Sequence, residues 1–154
     1  MTESKPATPT ARLGIYKQLD AVPESLRLGS YADRYDGTDI WSTWADQATA
    51  THTSQRYTTH VDRTARTWKQ HMADRGRHHA LARPLDIETW AETILDRCQP
   101  LSAYQIYFTK LEAFYEWLRY HPDHVHCYNP VLMAAAQHDA VATIWAAKIA
   151  RREC

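Results

Sequence analysis

Three cysteines in 154 residues, Cys98, Cys127 and Cys154, are too few and too scattered for a disulfide framework. No Cys-x-x-Cys pair occurs, and an odd, sparse count points to a reducing cytosol. No apolar run approaches the ~20 residues of a membrane span, and the opening MTESKPATPTA is polar rather than signal-like. A cytoplasmic protein without a membrane partner is the expectation. Strand-like alternation and internal repeats are also missing. Phenylalanine is scarce, two residues against six Trp and nine Tyr. Aromatic burial must therefore rely on rings that carry a polar handle.

Net charge is absent overall, with 18 basic and 18 acidic residues, but it is not evenly spread. Between Gln55 and Pro84 stand Arg56, Arg63, Arg66, Lys69, Arg75, Arg77 and Arg83 against only Asp62 and Asp74, seven minus two, or +5. Residues 1–54 hold five basic and seven acidic residues, or −2. A basic block inside a neutral chain is a directed field, suited to an anionic partner, although a solvated helix face has the same composition.

What is present reads as helix. Residues 1–11 are rich in Pro, Thr, Ser and Ala and are expected to be disordered. Residues 12–54 carry short apolar clusters broken by Pro23, Gly29 and Gly37, with Asp39 placed to cap a helix near Ile40–Ala48. The stretch 1–54 thus reads as a partly helical N-terminal extension. Tyr57, Val61, Thr64, Ala65, Trp68 and Met72 then form one stripe of a helix of about 20 residues, longer than the mean, and Gly76 stands as its stop signal. A second helix is expected from an Asp86 cap, with Ile87, Trp90, Ala91, Ile94 and Leu95 inward. A third opens at Ser102 and carries Tyr104, Tyr107, Phe108, Leu111, Phe114, Tyr115 and Leu118 until Pro122 forbids helix at His121. Pro130 opens a last Ala-rich helix with Leu132, Met133, Val141, Ile144 and Trp145 inward. The expected fold is all-α, four amphipathic helices across residues 55–152.

Trp68, Met72 and Gly76 closing a long helix, an acid-led second helix, the run LEAFYEWL at Leu111–Leu118 and the pair Asn129-Pro130 follow in a recognisable order. That order resembles the N-terminal core-binding domain of tyrosine recombinases, the phage-integrase family. YADRY at 31–35, the RGRHHALA loop at 75–82 and the stretch from His121 to Ala136 are similar to integrase-like proteins of haloarchaea. The resemblance implies a SAM-like bundle of two crossed helix pairs, one half of a clamp on double-stranded DNA. It also implies possible docking with a full-length recombinase or with itself. A helical protein–protein module without direct DNA contact is the alternative. The family's catalytic half is expected to be absent, because the sequence ends at Cys154 just after the fourth helix. His60 and Arg63 spell a His-x-x-Arg pair, but within the first helix and far from the family's nucleophile context, so no catalytic role is assigned.

The candidate DNA-binding residues are Arg63, Arg66 and Lys69 on the first helix, Arg75, Arg77 and Arg83 in and after the basic loop, and Thr109 and Lys110 on the third helix. The loop arginines are favoured. His121, His124, His126 and Cys127 contain zinc-ligand types, but their spacing fits no standard finger, so neither metal nor cofactor is expected. Nothing in the pattern points to a small-molecule substrate.

Overall fold

A computed structural model describes residues 5–51 and 54–153, and among these every regular element is helical. The first long helix, α3 (Gln55–Asp74), follows two shorter ones, α1 (Ala32–Tyr35) and α2 (Ile40–Ala50). α3 buries Val61, Thr64, Trp68 and Met72, the inner stripe that its sequence predicts. Ser54 Oγ accepts the Tyr57 amide at its start. At its end Arg77 N donates to Met72 O and Gly76 N to Ala73 O. This paired closure requires a left-handed residue, which Gly76 supplies at φ +72°.

α4 (Pro84–Leu95) begins two residues before the expected cap. Asp86 sits inside the first turn, where its Oδ2 accepts the Arg83 amide at 2.8 Å. It therefore serves as the returning acid of a capping box, not as the cap itself. Proline at the first position needs no amide partner, so Pro84 fits there. α5 (Pro100–Ala103) likewise starts before Ser102. It runs through a π-helical turn, Tyr104–Phe108, into α6 (Thr109–Tyr120).

The last helix is not continuous. α7 (Pro130–Gln137) and α8 (Asp139–Glu153) are separated at His138, whose backbone is extended. The break is held by Glu88, a buried carboxylate on α4 that accepts the amides of Ala140 and Val141 at 2.9 Å each. An anion at a helix N-terminus satisfies both orphan donors and the helix dipole. Both α7 and α8 pack on α4, which a straight helix does not allow over this length. Asn129, wholly buried, caps α7 through Val131 N and ties it to Glu116 of α6.

One core joins these helices. Trp90 lies edge-on to Trp68 with centroids 5.0 Å apart and against Phe108 at the same distance. Such pairs contribute about 0.5–1.5 kcal/mol beyond their burial. The N-terminal extension belongs to the same core: Leu13, Val22, Leu28, Tyr35, Trp41 and Trp44 are all buried. Trp41 and Trp44 pack on Phe114 of α6. The disorder expected for residues 1–11 is not what the described part shows from Lys5 onward, because Ala7 O accepts the Trp145 indole N–H at 2.7 Å. Arg119 holds the carbonyls of Arg12 and Leu13. Its guanidinium fills the space that a Cβ on Gly14 would occupy, 2.6 Å away.

Candidate nucleic-acid interface

Asp86 organises the basic loop. Its side chain is wholly buried, and Oδ1 lies 2.6 Å from Arg75 Nε and 3.4 Å from Arg77 Nη1. Arg83 Nε is 3.6 Å from Oδ2. Burial alone would raise the carboxyl pKa. The Arg83 amide, the Arg75 hydrogen bond and the charges of Arg77 and Arg83 outweigh it and hold the pKa below its ordinary value. The three loop arginines favoured from sequence are therefore gathered around one anion, and their side chains remain 28%, 30% and 42% exposed. One negative charge leaves this group with a residual positive charge.

The outer face of α3 differs. Arg56, Arg63 and Arg66 are exposed, and no carboxylate among the described residues pairs with any of them. At the 1.5 Å rise of a helix, they are spaced by roughly 10 Å and 5 Å along one side. Most other cations of the chain are engaged internally. Lys69 binds both oxygens of Asp39 at 2.9 Å. Arg12 and Lys148 share Glu112, and Arg34 caps Asp123 O. His60, next to the ladder, has its pKa lowered by burial and then by Lys110, Arg56 and Arg63, a local sign of the same positive field.

Thr109 and Lys110 lie elsewhere. The Thr109 hydroxyl oxygen is buried, and Lys110 is only 6% exposed. Lys110 Nζ donates to Gln105 O at 2.5 Å and sits over the Tyr57 ring. Thr64 Oγ1 of α3 lies 3.0 Å from Ile106 O. Both carbonyls belong to the π-helical turn, where the regular backbone ladder is displaced and its acceptors need side-chain donors. These two polar side chains secure the α3–α6 contact and do not face outward.

The histidines form a second interior group. Tyr35 of α1 stacks on His124 with centroids 5.7 Å apart, meets His78 and His126 at similar distances, and its hydroxyl lies 2.7 Å from His124 Nδ1. His79 Nε2 accepts the amides of Ile40 and Trp41, capping α2 from the basic loop. Burial presses its pKa down to about 3, with His78 and Lys69 adding repulsion. Burial also lowers His126 to about 4, against the opposing effect of its bond to Ala80 O. Among the described residues no three His, Cys, Asp or Glu side chains converge as a metal site. One ring nitrogen of each loop histidine has a partner, His121 Nδ1 with Asp123 N, His124 Nδ1 with the Tyr35 hydroxyl and His126 Nε2 with Ala80 O, while His126 Nδ1 is buried without a hydrogen bond. Trp117, off the third helix's inner stripe, is covered by His121 and His124 and donates to Gln47 Oε1.

Arg56 belongs to the basic block between Gln55 and Pro84 but is not among the candidates that the sequence suggests. Sequence reasoning also treats Asp86 as a cap alone. The signal available for Asp86 was an acid with arginines 3, 9 and 11 residues upstream, which the loop brings together. Among the described residues no helix is long and apolar enough to cross a membrane. Comparison with protein-family models, with curated proteins and with solved structures finds no match.

Proposed function

We propose that this chain is a non-catalytic duplex-DNA-binding protein of the kind its helix order resembles, the SAM-like core-binding domain of tyrosine recombinases, and that it acts in or around site-specific recombination. The observation that carries the reading is the ladder of Arg56, Arg63 and Arg66, exposed on α3 without ion pairs. Unpaired guanidinium groups along one helix face suit successive phosphates, each of which releases counterions when neutralised. The loop arginines have a smaller part in this reading than the sequence alone assigns them. Their charge is partly spent on Asp86. Lys110 and Thr109 take no part, because Lys110 is buried against Gln105 O and the Tyr57 ring and the Thr109 hydroxyl oxygen is buried as well.

The test is a mobility-shift titration on random-sequence duplex at low and moderate salt. Binding should weaken steeply with salt. Replacing Arg56, Arg63 and Arg66 together by Ala should weaken it at least tenfold. It should also reduce the slope of log affinity against log salt by about 2 to 3, near 0.9 per lost phosphate contact. Unchanged affinity in the triple variant would remove this surface from the DNA contact.

A further inference from the structure

A cleft of about 1100 Å³ opens beside the loop that follows α3. Lys69, Arg75, Arg77 and Arg83 line it from the bundle. The N-terminal extension contributes Glu24, Arg27, Asp33 and Asp36. Leu28, Leu81 and Tyr128 form its floor, each buried in the core at 1–2% exposure.

The arginines arrive at this cleft with donors unspent. Arg75 uses Nε on Asp86 and Arg77 uses Nη1, so both Nη groups of Arg75 and the Nη2 of Arg77 have no partner among the described residues. A guanidinium carries five N–H donors in a planar fork, which matches phosphate oxygens two at a time. Arg83 Nε is buried and makes no hydrogen bond. Because Arg75 and Arg77 share one carboxylate oxygen, their bonded nitrogens lie within two hydrogen-bond lengths, about 6 Å, of each other. Charge points the same way. Around Asp86 three guanidinium cations less one carboxylate leave +2, a local match for a phosphomonoester of charge near −2; the whole lining, with Arg27 and Lys69 against Glu24, Asp33 and Asp36 added, sums to +1. Asp86 thus acts as a buried post that pre-positions the forks and limits their mutual repulsion.

The volume is far larger than one phosphate and sits at the upper end of the range for small-molecule sites. That room suits an organic body beside the phosphate, and the carboxylates of Glu24, Asp33 and Asp36 suit its hydroxyl or amino donors. We propose that this cleft binds a phosphomonoester carrying a nucleoside-sized body. The same chemistry is offered by a free mononucleotide or by the 5′-phosphate end of a nucleic-acid strand. The site is separate from the α3 ladder and does not depend on duplex binding by that surface.

Calorimetric titration of the full chain with AMP, adenosine and inorganic phosphate tests it. AMP should bind, phosphate should compete with it, and adenosine should bind at least tenfold more weakly. Arg77→Gln should weaken AMP at least tenfold with the thermal midpoint lowered only slightly, since its bond to Asp86 is the longer of the two and the Arg75 and Arg83 contacts remain. Arg63→Ala with Arg66→Ala should leave AMP binding intact, which separates this site from the duplex surface. A 5′-phosphorylated single strand that binds more tightly than AMP, while its 5′-hydroxyl form does not, identifies a strand end as the source. The reverse order identifies a free nucleotide. Equal binding of AMP and adenosine, no binding of AMP or of the 5′-phosphorylated strand, or full AMP affinity in Arg77→Gln overturns the proposal.

Discussion

Arg75 Nε meets the wholly buried Asp86 Oδ1 at 2.6 Å, so a basic surface loop is anchored by an interior acid. Removing Asp86 takes the cap from the Arg83 amide and the charged contacts from three partly exposed arginines, a loss of about 2 kcal/mol. Asp86→Ala should therefore lower the unfolding free energy by roughly that amount in urea titration. Asp86→Asn should cost less, because an amide oxygen still accepts the Arg83 N–H. Since the carboxyl pKa is depressed in the folded protein, its contribution is present above the unfolded value near 4 and is lost as pH falls below it. A loss under 1 kcal/mol in Asp86→Ala would contradict the anchoring role.

His79 and His126 set a second pH window. Their folded pKa values, about 3 and about 4, lie below the ordinary 6.5. Between those limits the unfolded chain binds more protons, so stability rises with pH and is lost on acidification from about 6.5 downward. At about 1.4 kcal/mol per pKa unit, this amounts to several kcal/mol for each residue across its window, more for His79 than for His126. His60, His71, His78 and His124 are lowered too and act in the same direction. Thermal melts between pH 7 and pH 4 should show the midpoint falling steadily. His79→Gln, which keeps an acceptor for the Ile40 and Trp41 amides, should flatten that fall. A midpoint that is flat from pH 7 to pH 5 in the unsubstituted protein would be inconsistent with buried neutral imidazoles.

Trp41 measures whether the N-terminal extension is part of the fold. It is 2% exposed and packs on Phe114 with ring centroids 4.8 Å apart. Trp41→Ala should cost about 3–5 kcal/mol, the range for a large buried aromatic replaced by Ala. The whole chain should still unfold in one transition. A second, earlier transition confined to Trp41 and Trp44 fluorescence would mean that the extension detaches by itself.

The helices of residues 55–153 were legible because local signals suffice for them. The stripe from Val61 to Met72 follows one helical face, and Gly76 provides the left-handed residue that the α3 closure needs. Asp39 and Pro130 mark starts that the structure keeps. Starts set by distant groups were not legible. α8 begins at Asp139 because Glu88, 51 residues earlier in the chain, supplies the acceptor for its free amides. The π-helical turn is secured by Thr64 from another helix, which no local pattern records.

The candidate site divides in the same way. Composition and periodicity locate the cations on α3 and in the loop after it, since charge and helical phase are properties of the chain itself. Which cations are spent is a tertiary matter. Lys69 on Asp39, the loop arginines on Asp86 and Lys148 on Glu112 are engaged by partners brought close only on folding. The sequence by itself determined an all-helical chain with its positive charge concentrated in one segment, because apolar spacing and residue type act locally. The tertiary structure decided which of those charges stay free to meet a partner, because pairing depends on distance in space and not on separation along the chain.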